Sequence, residues 1–291
     1  VKIHQFPIRC FNFIGFEKEM NSKYILIIII AVFIATRLLG LDFIYHQDEY
    51  RWATIVDPVF SSEGYESSHP PLPENLYKAV GQIFGYDNLR TVPLIFSIFN
   101  LILIYLVSLK ISRIKNIALI AAGLFMTSIY GLIASLQIDI DGAILPFFIL
   151  ASYYCYLNIL EKQNLWINDL RSRLSTGRSN IKLWILLFCI AVIGGFLTKL
   201  SYLLFCGALI IDQGLKVYYF NSKNIKQLLL RTCMWAAGFL AAIIVFYFFY
   251  ASNFERIIAY ARHFNSLNFG SRAYFDLLFK IFKSFVWLSP L

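Results

Sequence analysis

Apolar runs about as long as a membrane-spanning helix recur along this chain, and no other feature narrows the possible folds as much. A helix needs about 20 predominantly apolar residues to cross the hydrocarbon core of a bilayer. Such runs occupy Tyr24–Leu41, Thr91–Leu109, Ile117–Leu136, Gly142–Leu160 and Thr232–Ala251. Shorter ones lie at Leu183–Leu197 and Leu200–Leu215, and another starts near Leu277. Gly194-Gly195 and Lys199 are expected to divide 183–215 into a tight hairpin, its first arm short enough to be re-entrant or tilted. Of the 291 residues, 59% are hydrophobic and 15% charged, against roughly 45–50% and 25% in soluble domains. A soluble domain cannot keep that much apolar surface from water. The expected fold class is therefore all-α: a polytopic membrane protein of about 7–8 transmembrane helices, with a long first outer loop that carries short interfacial helices. The five cysteines (Cys10, Cys155, Cys189, Cys206, Cys233) lie mostly in apolar runs without a CxxC pair, so packing is their expected role.

The net charge of +9 would suggest nucleic acid in a soluble protein. In a membrane protein, Lys and Arg concentrate in cytoplasmic loops instead. With the N-terminus inside, the cytoplasmic segments collect most of the bases, among them Lys18, Lys23, Lys110, Arg113, Lys115 and the Arg/Ser/Asn-rich connector 161–182. The charge is thus a topological label, and no nucleic-acid partner is expected. Residues 1–23 read as a cytoplasmic tail, with Met20 as a second candidate start. Residues 24–291 read as one transmembrane domain that stops inside an apolar stretch at Pro290-Leu291, as a truncated chain would.

The polar features able to carry chemistry fall on the other side. The first outer loop, residues 42–90, is long beside ordinary helix connections of about 2–8 residues. Asp48-Glu49-Tyr50-Arg51-Trp52-Ala53 opens one short amphipathic segment and Glu74–Phe84 makes a second. Both suit helices lying on a membrane surface. Between them, the prolines of His69-Pro70-Pro71-Leu72 stiffen the chain. Asp139 and Asp141 sit in the next outer turn. Being two apart, they cannot share a helical face, and Asp141-Gly142 is expected to start the fourth span with Asp141 as a candidate cap. Lys199 lies in the third outer turn, and Arg256 and Arg262 in the fourth.

These residues carry a resemblance. A first span ending in Arg-Leu (Arg37-Leu38) is followed by the outer-loop Asp-Glu-x-Arg-aromatic-Ala, then His-Pro-Pro-Leu, a helix ending Phe84-Gly85, and Leu89-Arg90-Thr91-Val92-Pro93. With the acidic turn Asp139–Asp141 and Leu197-Thr198-Lys199, the set resembles the glycosyltransferase C superfamily. The most similar branch is that of the dolichyl-phosphate-mannose–protein mannosyltransferases and aminoarabinose transferases. The resemblance covers about residues 24–290, whereas members of the family are usually longer.

The resemblance implies an integral-membrane enzyme of the plasma membrane or an endoplasmic-reticulum-type membrane. It would move a sugar, with inversion, from a polyprenyl-phosphate donor to a protein or glycolipid acceptor on the non-cytoplasmic face. Phosphate is a good leaving group, so a carboxylate must accept the acceptor's proton and cations must neutralise the phosphate. The resemblance makes Asp48 the base, with Glu49 supporting it or binding acceptor or metal, and Asp139 a further acid. It also makes Lys199 the phosphate lysine. Arg51, Arg256 and Arg262 are further phosphate candidates, and His69, Asp141 and Arg90 are candidates for loop or acceptor contacts. A divalent cation on Asp48, Glu49 and Asp139 is compatible with the resemblance, and no other cofactor is implied. Each residue also has a plainer reading. Acids favour the first turn of a helix, Lys199 and Arg90 suit a membrane interface, and His-Pro-Pro-Leu shapes a loop. A transporter or flippase would place ionisable groups along its spans, where this sequence has few. An inactive remnant is the third alternative.

Overall fold

A computed structural model describes residues 22–42, 44–61, 70–170, 178–199 and 201–220, with the helical positions Gly238, Leu240, Ile244 and Tyr247. The expected tail up to residue 21, the span from Leu277, His69, Arg256 and Arg262 lie outside the described residues, as does most of the expected span Thr232–Ala251. The described chain is all-α with no strand, and its long apolar helices make it a polytopic membrane protein. Among the described residues, three helical stretches are long and apolar enough to cross a membrane: Tyr86–Ser112, Ile140–Lys162 and Ile181–Thr198. One bent pair passes the same test when taken together.

The first helix, α1 (Ser22–Leu38), leads through residues 39–46 to the loop helices α2 (Gln47–Val56), α3 (Pro58–Ser61) and α4 (Pro71–Phe84). The two amphipathic segments read from the sequence are α2 and α4. The second begins three residues earlier than expected, because Pro71 takes the first helical position, where its missing N–H costs nothing. The turn after α4 uses Gly85 at φ 90°, a region open to glycine at no steric cost. Next, α5 (Thr91–Ser112) runs for 22 residues, about 33 Å at 1.5 Å per residue, enough for the hydrocarbon core.

The expected third span, Ile117–Leu136, is not one helix. It is α6 (Lys115–Thr127) and α7 (Ile129–Leu136), bent by 63° at Ser128. Two local features explain the break. Ser128 is extended and its Oγ accepts from Gly131 N at 2.9 Å, so it caps a new helix. Gly131 lies so near the end of α6 that a Cβ there would stand 2.1 Å from the Phe125 carbonyl oxygen.

The fourth span, α8 (Leu145–Leu170), is entered through a wide π turn, Ile140–Ile144, in which Leu145 N donates to Ile140 O. Pro146 supplies a reason for the widening. It has no N–H for the Gly142 carbonyl, and its ring would collide with that carbonyl in a regular helix. Side chains satisfy what the turn leaves open. The Tyr130 hydroxyl donates to Gly142 O at 3.2 Å, and Asn100 Nδ2 donates to Ala143 O at 2.8 Å.

Then α9 (Arg178–Thr198) and α10 (Tyr202–Phe220) follow. The expected hairpin boundary is at residues 199–201, but Gly194-Gly195 do not make it. They lie within α9, where a Cβ would strike Phe148 from position 194 and Tyr202 from position 195. Their role is close helix packing, which drives association where lipid competes on equal terms for apolar surface. Three buried clusters hold the described chain together. Phe33, Leu101, Ala118 and Ala122 join α1, α5 and α6. Cys155, Tyr156, Val192 and Tyr202 join α8, α9 and α10. The third seats the loop helices on the membrane domain through Trp52, Tyr77, Leu89, Ile138 and Ile144. At the far end of α5, Glu161 of α8 pairs with Lys110 and, at 2.9 Å, with Arg113.

Candidate active site at the loop end of the helices

Helix α2 begins at a capping box. Glu49, its third residue, accepts from the backbone N–H of the cap residue His46 at 2.9 Å. The same carboxylate does more. Its Oε1 accepts from Arg90 Nε and from Ile138 N, both at 3.0 Å, and its Oε2 accepts from Arg90 Nη2 at 2.8 Å. Glu49 is 3% and Arg90 5% exposed. Burial works against the charge on Glu49, but the hydrogen bonds from Arg90, His46 and Ile138 outweigh it and hold the carboxyl below the usual carboxylate range.

Arg90 spends the rest of its guanidinium on the connector after α1. It donates to the carbonyls of Gly40 at 3.2 Å, Leu41 at 3.3 Å and Ile44 at 3.2 Å, and lies 5.1 Å over the Tyr45 ring. One bidentate ion pair thereby ties four segments together: the α1–α2 connector, α2, the start of α5 and the strap 137–141 between α7 and the π turn. Glu49 has both oxygens, and Arg90 all three nitrogens, committed to holding the loop.

The acids of the strap have separate tasks. Asp139, rather than Asp141, caps the turn, its Oδ1 accepting from Ile140 N at 2.6 Å. Burial, reinforced by Asp141, raises its carboxyl above the usual range, although the Ile140 N–H and Lys199 pull the other way. Its carbonyl accepts from the hydroxyl of Tyr77 at 3.0 Å, and Tyr77 packs on Trp52 of α2 with ring centroids 5.9 Å apart. Asp141 pairs with Lys199 instead. Both side chains of that pair are partly exposed, at 50% and 31%, where an ion pair contributes about 0–1 kcal/mol. It is a contact that another anion could open at little cost.

Asp48 is the second residue of α2, immediately before the pinned Glu49. Its side chain lies outside what is described. Arg51 is exposed one turn along the same helix. The described residues therefore bring Glu49, Arg90 and the strap into one knot, and Asp141 and Lys199 into one pair beside it. Among the described residues, which leave out the Asp48 side chain, no group of three His, Cys, Asp or Glu is placed to hold a metal ion.

Sequence reasoning missed three residues. Tyr77 and Asn100 gave no signal, because a tyrosine in an amphipathic helix and an asparagine in a span look incidental until their carbonyl partners are known. Arg37 did give one. It is an arginine within an apolar run, and the structure buries it to 4% exposure.

No family model and no curated protein matches the chain. Among solved structures, its fold is similar to that of the S. cerevisiae protein O-mannosyltransferase Pmt1–Pmt2 complex bound to the sugar donor. The TM-score is 0.61 and the identity 16%, over 81% of this chain and 34% of that one. The chain thus spans about a third of the solved chain it resembles, and at this identity the likeness concerns the fold alone.

Proposed function

We propose that the chain is the membrane module of a glycosyltransferase that moves a sugar from a polyprenyl-phosphate donor to an acceptor hydroxyl, on the face carrying the 42–90 loop. The acceptor oxygen attacks the anomeric carbon from the side opposite the phosphate. The bond from that carbon to the phosphate oxygen breaks, and polyprenyl phosphate leaves with an added negative charge. Asp48 takes the hydroxyl proton, and Lys199, released from Asp141, neutralises the leaving phosphate, with Arg51 nearby along α2. Glu49 and Arg90 hold the start of α2 against the strap, so that the base is supported by a rigid, dry anchor. Asp139, raised by burial, is the second acid beside the acceptor. The non-cytoplasmic side follows from the basic connectors at the opposite ends of the spans.

The observation that carries this reading is the Glu49–Arg90–Ile138 knot. It joins the loop that resembles the family to the strap bearing Asp139 and Asp141, within a fold similar to a donor-bound mannosyltransferase. The broken α6–α7 pair gives a translocation reading one point in its favour. One experiment separates the two. Purified protein in proteoliposomes is given labelled polyprenyl-phosphate hexose together with Ser/Thr peptides and a lipid A-like glycolipid. Transfer releases polyprenyl phosphate and labels one of the acceptors. Donor that changes leaflet with its glycosidic bond intact supports translocation, and neither outcome in active-lipid conditions refutes both.

A further inference from the structure

Arg37 stands in the last turn of α1 at 4% exposure. Its Nη2 donates to Met126 O at 2.5 Å, its Nε to Ser135 Oγ at 3.4 Å and its Nη1 to Thr36 Oγ1 at 2.7 Å. Its guanidinium carbon lies 4.2 Å over the Phe33 ring. None of these partners is a carboxylate. A cation withdrawn from water onto neutral acceptors is expensive in a membrane protein, so its position calls for a return elsewhere in the molecule.

The return lies in what the two distant acceptors are. Met126 is in the last turn of α6, and its carbonyl is one of those left without a helical partner when the helix stops at Ser128. Ser135 is in the last turn of α7. One planar fork therefore grips the chain just before α7 begins and again where α7 ends. A lysine, with a single point charge, has no such reach. Gly40, three residues after Arg37, extends the contact: a Cβ there would stand 2.7 Å from Leu136 Cδ1. Two and three residues after Leu136 come Ile138, whose N–H is bound by Glu49, and Asp139, whose carbonyl is bound by Tyr77.

We propose that Arg37 is a positioning residue: by clamping both ends of α7 it fixes the angle of the broken span and so the register of the strap 137–141 at the transfer site. The kinetic part rests on the function proposed above, and the structural part does not. Wild type, Arg37→Lys, Arg37→Met and the milder Ser135→Ala are compared in phosphatidylcholine nanodiscs by hydrogen–deuterium exchange and by sugar transfer. Amides at 136–141 should exchange at least tenfold faster in both Arg37 variants and several-fold faster in Ser135→Ala, with α8 and α9 unchanged. The kcat should fall about ten- to a hundredfold, as displaced catalytic groups do, at unchanged donor KM. Wild-type exchange at 136–141 in Arg37→Lys overturns the proposal, and so does equal loosening of every helix. If wild type transfers no sugar, the proposed function fails while the exchange comparison still decides the role of Arg37.

Discussion

Replacing Glu49 by Gln removes one charge from the knot and changes almost no volume. Each Glu49 oxygen takes two N–H donors, two of the four coming from Arg90. The amide keeps one acceptor and turns an NH2 toward the other two donors. The Arg90 guanidinium then loses the carboxylate that faces it and keeps its contacts to the Gly40, Leu41 and Ile44 carbonyls at 3.2–3.3 Å. Breaking a buried pair from one side costs about 3–5 kcal/mol. The surviving carbonyl contacts place this case near the lower end, about 3 kcal/mol, or a fall of roughly 6–12 °C in thermal midpoint for a chain of this size. The assay is thermal unfolding of purified protein in detergent, followed by tryptophan fluorescence. A cycle with Arg90→Met should be non-additive by about 1–3 kcal/mol, the range of directly contacting residues. The pH dependence has a definite sign. Glu49's folded-state pKa is depressed, so its stabilisation is present above the unfolded carboxylate pKa and is lost as pH falls through the folded value. Wild type should therefore lose midpoint on acidification through that window, and Glu49→Gln should lack this component. A midpoint shift under about 2 °C, or an additive cycle, would refute the account of the knot.

The opposite sign holds for Asp139, whose folded pKa is raised, chiefly by burial. Stability falls as pH rises from the unfolded carboxylate pKa to the folded one, and Asp139→Asn, which keeps a capping group, should remove that fall; unfolding midpoints between pH 4 and 8 check it, and a decline as steep as in wild type contradicts it. Gly131→Ala should cost about 1–3 kcal/mol by forcing a Cβ against the Phe125 carbonyl, read as a lower midpoint; an unchanged midpoint would show that the α6–α7 break is not built on this glycine. Lys199→Met should raise donor KM tenfold or more while lowering the midpoint by no more than about 4 °C, since a partly exposed pair contributes at most about 1 kcal/mol; an unchanged KM in the transfer assay would remove Lys199 from the phosphate.

Membrane architecture was legible because apolar run length and loop charge report directly on the solvent around a helix. The two loop helices were legible for a related reason: α2 and α4 each carry one apolar face. The broken third span was not, since Ile117–Leu136 is apolar throughout and hydropathy does not register a serine cap or a glycine facing a carbonyl. Gly194-Gly195 misled in the opposite direction, being glycines that serve packing rather than a turn. At the site, the pattern Asp48-Glu49 gave no sign of what holds Glu49, because its partners Arg90 and the Ile138 N–H lie far away in sequence. The cap falls to Asp139 rather than Asp141 for the same reason, because the partner that claims Asp141 is Lys199, just beyond the end of α9.

The central claim is that α2 presents a catalytic carboxylate beside a lysine able to take a lipid-linked phosphate. Single-turnover release of polyprenyl phosphate by Asp48→Asn, against wild type at saturating labelled donor with the Ser/Thr peptide and glycolipid acceptors, tests it most directly. The account predicts a loss of about 10²–10⁴ in rate with donor binding and thermal midpoint unchanged. A variant that releases polyprenyl phosphate within a fewfold of wild type would contradict it.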